Sequence, residues 1–126
     1  MTAEEFRRLA LSFRGTSEGA HHGHPGFRVG GRVFATLGQP DAGWAMAKLT
    51  PAQQQRFVRD HPACFQPVKG AWGRRGATSV SLWSATPSTA RRALALAHRN
   101  VTSAMHQSAP RHAEGQTART LKKRAS

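Results

Sequence analysis

Two adjacent glycines inside an alternating apolar stretch constrain this chain more than any other feature. Phe27-Arg28-Val29 leads into Gly30-Gly31, and Arg32-Val33-Phe34-Ala35-Thr36-Leu37 follows. A two-residue connection between strands needs positive φ at its centre, which glycine adopts without steric cost, so the pattern predicts a tight β-hairpin. A second turn, GQPDAG over 38–43, separates it from a third predicted strand at 44–49, WAMAKL. The result is a meander of three short strands.

Helix signals flank the meander. Thr2 and Glu5 have capping-box spacing, and Phe6, Leu9, Ala10 and Phe13 fall on one helical face, predicting a helix over 3–13 that stops at Gly15. Thr50-Pro51 with Gln53 repeats the signal and opens a helix to about Arg59, with Phe57 and Val58 inward. Thr86-Pro87 opens the last helix, to about Ser103, with Ala90, Leu94, Ala97 and Val101 on one stripe. Thr16 to Gly26, which contains HHGHPG, reads as a loop. A short extended piece is expected from Phe65 to Val68, then a glycine-punctuated loop, KGAWGRRGA, then a strand in which Thr78, Val80 and Leu82 alternate with Ser79, Ser81 and Trp83. The order α-β-β-β-α-β-α, without an internal repeat, predicts an α+β domain with helices packed on a small, mostly antiparallel sheet.

The 126 residues hold one such domain, over 1–103, and a basic C-terminal tail, 104–126. Met105 and Leu121 are the tail's only large apolar groups, so it is expected to be flexible. The apolar fraction of 38% supports a modest core. No apolar run approaches the roughly 18 residues of a membrane span, and the N-terminus has no secretory leader pattern. The single cysteine, Cys64, can form neither an intrachain disulfide nor a cysteine-based zinc site, so a reducing cytoplasm is the expected compartment.

Nineteen Lys and Arg against six Asp and Glu give a net charge of +13. Of this, +9 belongs to residues 1–103 and +4 to the tail. Such a surplus is the footprint of a polyanion partner, nucleic acid first. A GC-rich genome also trades Lys for Arg, and Arg outnumbers Lys fifteen to four here. Codon usage does not delete acids, however, and their scarcity is the more informative half.

Catalytic constellations are weak. His21, His22 and His24 crowd one short span without a nearby thiol, and only Glu18 could complete a metal shell, so no metal site and no cofactor are expected. His61 precedes Cys64 by three residues with no third partner, and no phosphate-binding GxxxxGK[ST] loop occurs. No enzyme is expected. The richest cluster is residues 69–83, where Lys69, Arg74 and Arg75 surround Trp72 among three glycines: cations attract phosphate, glycines let backbone amides approach and an indole offers a stacking face. Arg28 and Arg32 across the hairpin turn and Lys48 at a strand end complete a candidate nucleic-acid-binding set. The competing reading is a core lid at Trp72 in a protein-interaction or small-ligand module whose charge is compositional.

The stretches EEFRRLALSF, EGAHHGHPGFRVGGRVFATL, GWAMAKLTPAQQQRF and PVKGAWGRRGATSVSLW resemble the MmcQ/YjbR family over about residues 3–103. The resemblance implies a CyaY-like, double-wing α+β fold and DNA binding, with no catalysis. Two positions depart from the family pattern: FRG at Phe13 to Gly15 where FPG is usual, and HPGF at His24 to Phe27 where HPDF is usual. Both changes raise the positive charge. The expected function is therefore a cytoplasmic, bacterial-type DNA-binding accessory protein that contacts phosphates largely without regard to sequence.

Overall fold

The computed structural model describes residues 1–39 and 41–108. In chain order the elements are α1 (Ala3–Leu11), β1 (Thr16–His21), β2 (His24–Val29), β3 (Arg32–Leu37), β4 (Trp44–Lys48), α2 (Pro51–Asp60), β5 (Phe65–Pro67), α3 (Ala71–Arg74), β6 (Ala77–Ser81) and α4 (Pro87–Ser108). Both capping boxes form. Thr2 Oγ1 accepts from the Glu5 amide at 3.0 Å while Glu5 Oε1 accepts from the Thr2 amide at 2.7 Å, and Thr50 and Gln53 do the same at 3.2 and 2.9 Å.

All six strands pair antiparallel in the order β1-β2-β3-β4-β6-β5, so the fold is α+β. The Gly30-Gly31 hairpin is present with φ of 59° and 80°, the positive pair of a type I′ turn. The expected loop at 16–26 is instead a second hairpin of the same kind. His22 and Gly23, at φ 53° and 80°, turn β1 into β2, and His21 pairs with His24. The meander therefore has four strands, not three. β1 escaped the periodicity reading because TSEGAH carries no apolar alternation: it is an edge strand, held by backbone pairing to β2 rather than by a buried side-chain row. Three smaller differences follow. Phe65–Pro67 is a full edge strand, the glycine loop contains the one-turn α3, and α4 runs to Ser108, past the expected end at Ser103. The rest of the expected tail, 109–126, lies outside the described residues.

The register divides the sheet into two unlike faces. Phe27, Val29, Ala35, Leu37, Ala45, Ala47, Val80 and Phe65 lie on the face met by α1, α2 and α4 and join one core with Phe6, Ala10, Phe57, Leu94, Ala97 and Val101. A bulge between the Phe27–Ala35 and Arg28–Val33 pairs lets Phe34 also turn inward, where it meets the His98 ring of α4 edge-on at 5.2 Å. The other face is not covered by these helices.

Gly73 and Gly76 pin the segment around α3. A side chain at Gly73 would collide with the Val68 backbone, and one at Gly76, where φ is +113°, would collide with the Leu49 and Thr50 backbone. Gly76→Ala combines overpacking with a strained φ and is expected to cost about 3 kcal/mol or more. Gly31→Ala, with φ of +80° but open space around it, should cost about 1 kcal/mol. Chemical denaturation of the two variants checks this; equal losses would remove the claim of close backbone approach.

Candidate nucleic-acid interface

Strand alternation dictates what stands on the helix-free face. Reading the register across it gives Ser17, Gly19 and His21 on β1, then His24, Gly26 and Arg28 on β2 and Val33 and Thr36 on β3. Positions on the next strands follow the same rule: Trp44, Met46 and Lys48 on β4, Ala77, Ser79 and Ser81 on β6 and Gln66 on β5. None is an acid. The described acids lie elsewhere: Glu4 and Glu18 pair with Arg7, at 3.1 and 2.6 Å, beside α1, Asp60 pairs with Arg59 at the end of α2, Glu5 caps α1, and Asp41 sits in the β3–β4 turn.

Small residues on this face make room for long neighbours. Arg28 lies across Gly19, where an added Cβ would stand 2.9 Å from its Nη1, and its Nη2 donates to the Ala20 carbonyl at 3.1 Å. His21 lies against Gly26 and His24 against Gly38. The His21 and His22 rings meet at 4.4 Å, edge to face. Burial, then the charges of His22, Arg28 and Lys48, hold the His21 pKa below the ordinary histidine value. Lys48 is half-buried, and burial followed by the charge of Arg32 lowers its pKa too. These five cationic or titratable groups therefore share one field. Thr36 Oγ1, fully buried between Gly26 and Met46, has no hydrogen-bond partner among the described residues.

At the Lys48 end the face continues into α3. Trp72 is 61% exposed rather than a lid on the core, with Lys48 Nζ 6.0 Å and Arg75 Cζ 5.7 Å from its ring centroid. Two buried amide contacts hold this corner. Gln54 Nε2 of α2 donates to the Gly73 and Ala77 carbonyls at 3.0 and 2.9 Å, and Asn100 Nδ2 of α4 donates to the Lys48 carbonyl at 3.0 Å.

Of the seven residues the sequence nominated, Lys48, Trp72 and Arg75 are brought together; Arg28 lies on the same sheet face, and Arg32, paired with Val29 at the hairpin turn, acts on Lys48 through its charge. Lys69 and Arg74 are exposed on the same segment as Trp72 but make none of these contacts. None of the six cations forms an ion pair with a described acid. Bases also occur on the helix side, where Arg91 and Arg92 lie over the Phe13 and Phe57 rings; what distinguishes the sheet face is the missing acids. Sequence reasoning missed His21, Trp44 and Met46 on this face because β1 and the face itself were not visible to it. It also left out Trp83, 93% exposed just past Ser81. Cys64 is half-buried and its thiol donates to the Ser84 carbonyl at 3.4 Å. Among the described residues no three His, Cys, Asp or Glu side chains gather as a metal-holding group, and no helix is long and apolar enough to cross a membrane. A shallow cleft lined by Glu5, Arg8, Leu9 and Pro87 lies on the helix side.

Comparison with known proteins gives the following. The YjbR family model matches residues 11–109, most of the chain. The crystal structure of Deinococcus radiodurans protein DR2400, described by the domain name DUF419, superposes with a TM-score of 0.70 at 17% identity, covering 93% of this chain and 95% of that one. At that identity the likeness concerns the fold. No curated protein matches the sequence.

Two outcomes follow from the geometry. Gln54→Leu removes the second hydrogen bond of two buried carbonyls, which keep backbone donors at Gly76 and Val68, and should cost about 1 kcal/mol in a denaturant titration, with the Trp72 segment becoming more open to hydrogen exchange. Because His21 binds its proton less readily folded than unfolded, its contribution favours the folded state above pH 6.5 and declines as pH falls below that value. Thermal melts from neutral to mildly acidic pH should show a smaller acid loss for His21→Gln than for the unaltered protein; parallel curves would contradict the assignment.

Proposed function

The chain belongs to the YjbR family, and from its acid-free sheet face we propose that it is a DNA-binding protein that grips phosphates through that face and the α3 corner. The contact is electrostatic and largely indifferent to sequence, with no catalytic step. Arg28, Arg32, Lys48, Lys69, Arg74 and Arg75 supply the cations, and Trp72 meets sugar or base.

The observation carrying this reading is the segregation of charge. Cations without acid partners share one side of the sheet, where burial first and neighbouring cations second lower the pKa of Lys48 and His21. Like charges held together this way are relieved by a polyanion. Among the described residues no long helix stands on that face to act as a recognition helix, which fits phosphate contact better than base reading. The observation favouring a protein partner instead is Trp83, exposed at the far end of β6.

Binding to a short duplex, followed across a salt series, tests the proposal. The affinity should fall with a log–log slope of about −0.9 per phosphate neutralised, and a combined Arg28→Ala, Lys48→Ala, Arg75→Ala variant should flatten that slope by roughly 2 to 3. Removing 109–126 should flatten it further without abolishing binding. No binding at low salt, or a triple variant that matches the unaltered protein, rejects the reading; a Trp83→Ser variant that alone abolishes an interaction would point to the protein-partner alternative.

A further inference from the structure

We propose that the open face takes single-stranded DNA, with an unpaired base stacked on Trp72 and the flanking phosphates held by Lys48, Arg75, Arg28 and Arg32. The inference rests on the DNA-binding reading and specifies its strand state.

The first support is the shape of the face. A duplex groove admits a helix or a projecting ribbon, whereas this face is strand, its small residues Gly26, Ala77, Ser79 and Ser81 buried and Trp44, Met46 and Lys48 half-buried along β4. Among the described residues its helical neighbour is α3, a single turn. A sheet face that presents a row of half-buried longer side chains instead accepts splayed bases laid against them.

The second support is Trp72. Its indole is mostly exposed while two cations lie over the ring, at 6.0 and 5.7 Å from the centroid. In a duplex both faces of each base are already occupied by neighbouring bases, so an exposed indole gains little. An unpaired base offers a free π-face to the exposed part of the ring and, across its sugar, a phosphate to the cations of the same corner. The third is the row on β4. Trp44 and Lys48 lie on the same face, four residues apart, about 13 Å at roughly 3.3 Å per residue. That span puts a half-buried indole at one end of the row and the Trp72 corner at the other, room for the two or three bases that open sheets stack. Charge complementarity favours a polyanion throughout, since none of the described acids stands on the face. The assigned strand is DNA because the inference specifies the DNA-binding reading, and oligouridine supplies the RNA arm of the test.

The test uses the full chain with end-labelled oligothymidine of about 12 nucleotides, the matching duplex and oligouridine, at one salt concentration, by fluorescence anisotropy. Oligothymidine should bind roughly tenfold more tightly than the duplex and quench tryptophan emission. Trp72→Ala should weaken the single-strand complex by roughly tenfold and the duplex complex by less than about twofold, and Trp72→Phe should recover most of the loss. Because Trp72 is exposed, the Ala variant should keep the unaltered melting curve, which separates loss of stacking from loss of fold. Equal affinity for duplex and single strand, an Ala variant without effect, or tighter binding of oligouridine overturns the inference. Salt-dependent duplex binding combined with any of these leaves the phosphate-grip reading standing, whereas absence of binding to all three probes removes both.

Discussion

The packing of α4 onto the middle strands is the contact from which the rest of the structure follows. Ala93, Leu94, Ala97 and Val101 meet a row of Ala35, Ala45 and Ala47, and these small side chains let the helix lie close to the sheet. α1 and α2 join the same side, and the phenylalanines fill the space around them. With every long helix committed to one face, alternation sends the intervening residues to the other: Trp44, Met46 and Lys48 on β4 stand out because Ala45 and Ala47 stand in. A slip of one residue in that strand would bury Lys48 and expose Ala47, so the core that fixes the register also fixes the cationic face.

The α3 corner is tied to the same frame by backbone rather than by side-chain packing. Gly73 and Gly76 allow the chain to pass against Val68 and Leu49, Gln54 adds a second hydrogen bond to the Gly73 and Ala77 carbonyls, and Asn100 bridges α4, the Lys48 carbonyl and the Gln53 of the α2 cap, where its Nδ2 also donates to Gln53 Oε1 at 2.8 Å. Trp72 is therefore exposed yet anchored. Anchoring of this kind lowers the entropy lost when an aromatic platform meets a ligand.

Signals that act over a few residues were legible in the sequence. Both capping boxes, the Gly30-Gly31 turn and the stripe of α4 depend only on neighbours, and each forms where its residues specify. β1 was not legible, because an edge strand needs no apolar row and a His-Gly turn is a weaker signature than Gly-Gly. Three of the seven nominated site residues, Lys48, Trp72 and Arg75, do meet, but nothing in their spacing tells which side of the sheet the helices take. That choice is made by long-range packing, and it alone explains why His21 on β1 feels the charge of Lys48 on β4.

The net charge acquires a direction from this arrangement. Acids and bases mix around α1 and at the end of α2, while the sheet face has bases only. Mapping backbone amide shifts by NMR during titration with oligothymidine tests that asymmetry most directly. Perturbations concentrated in β1 to β4 and residues 70–77, with α1 and the exposed side of α4 unmoved, are the expected result. Perturbations centred on the helices, or confined to residues beyond 108, would contradict it.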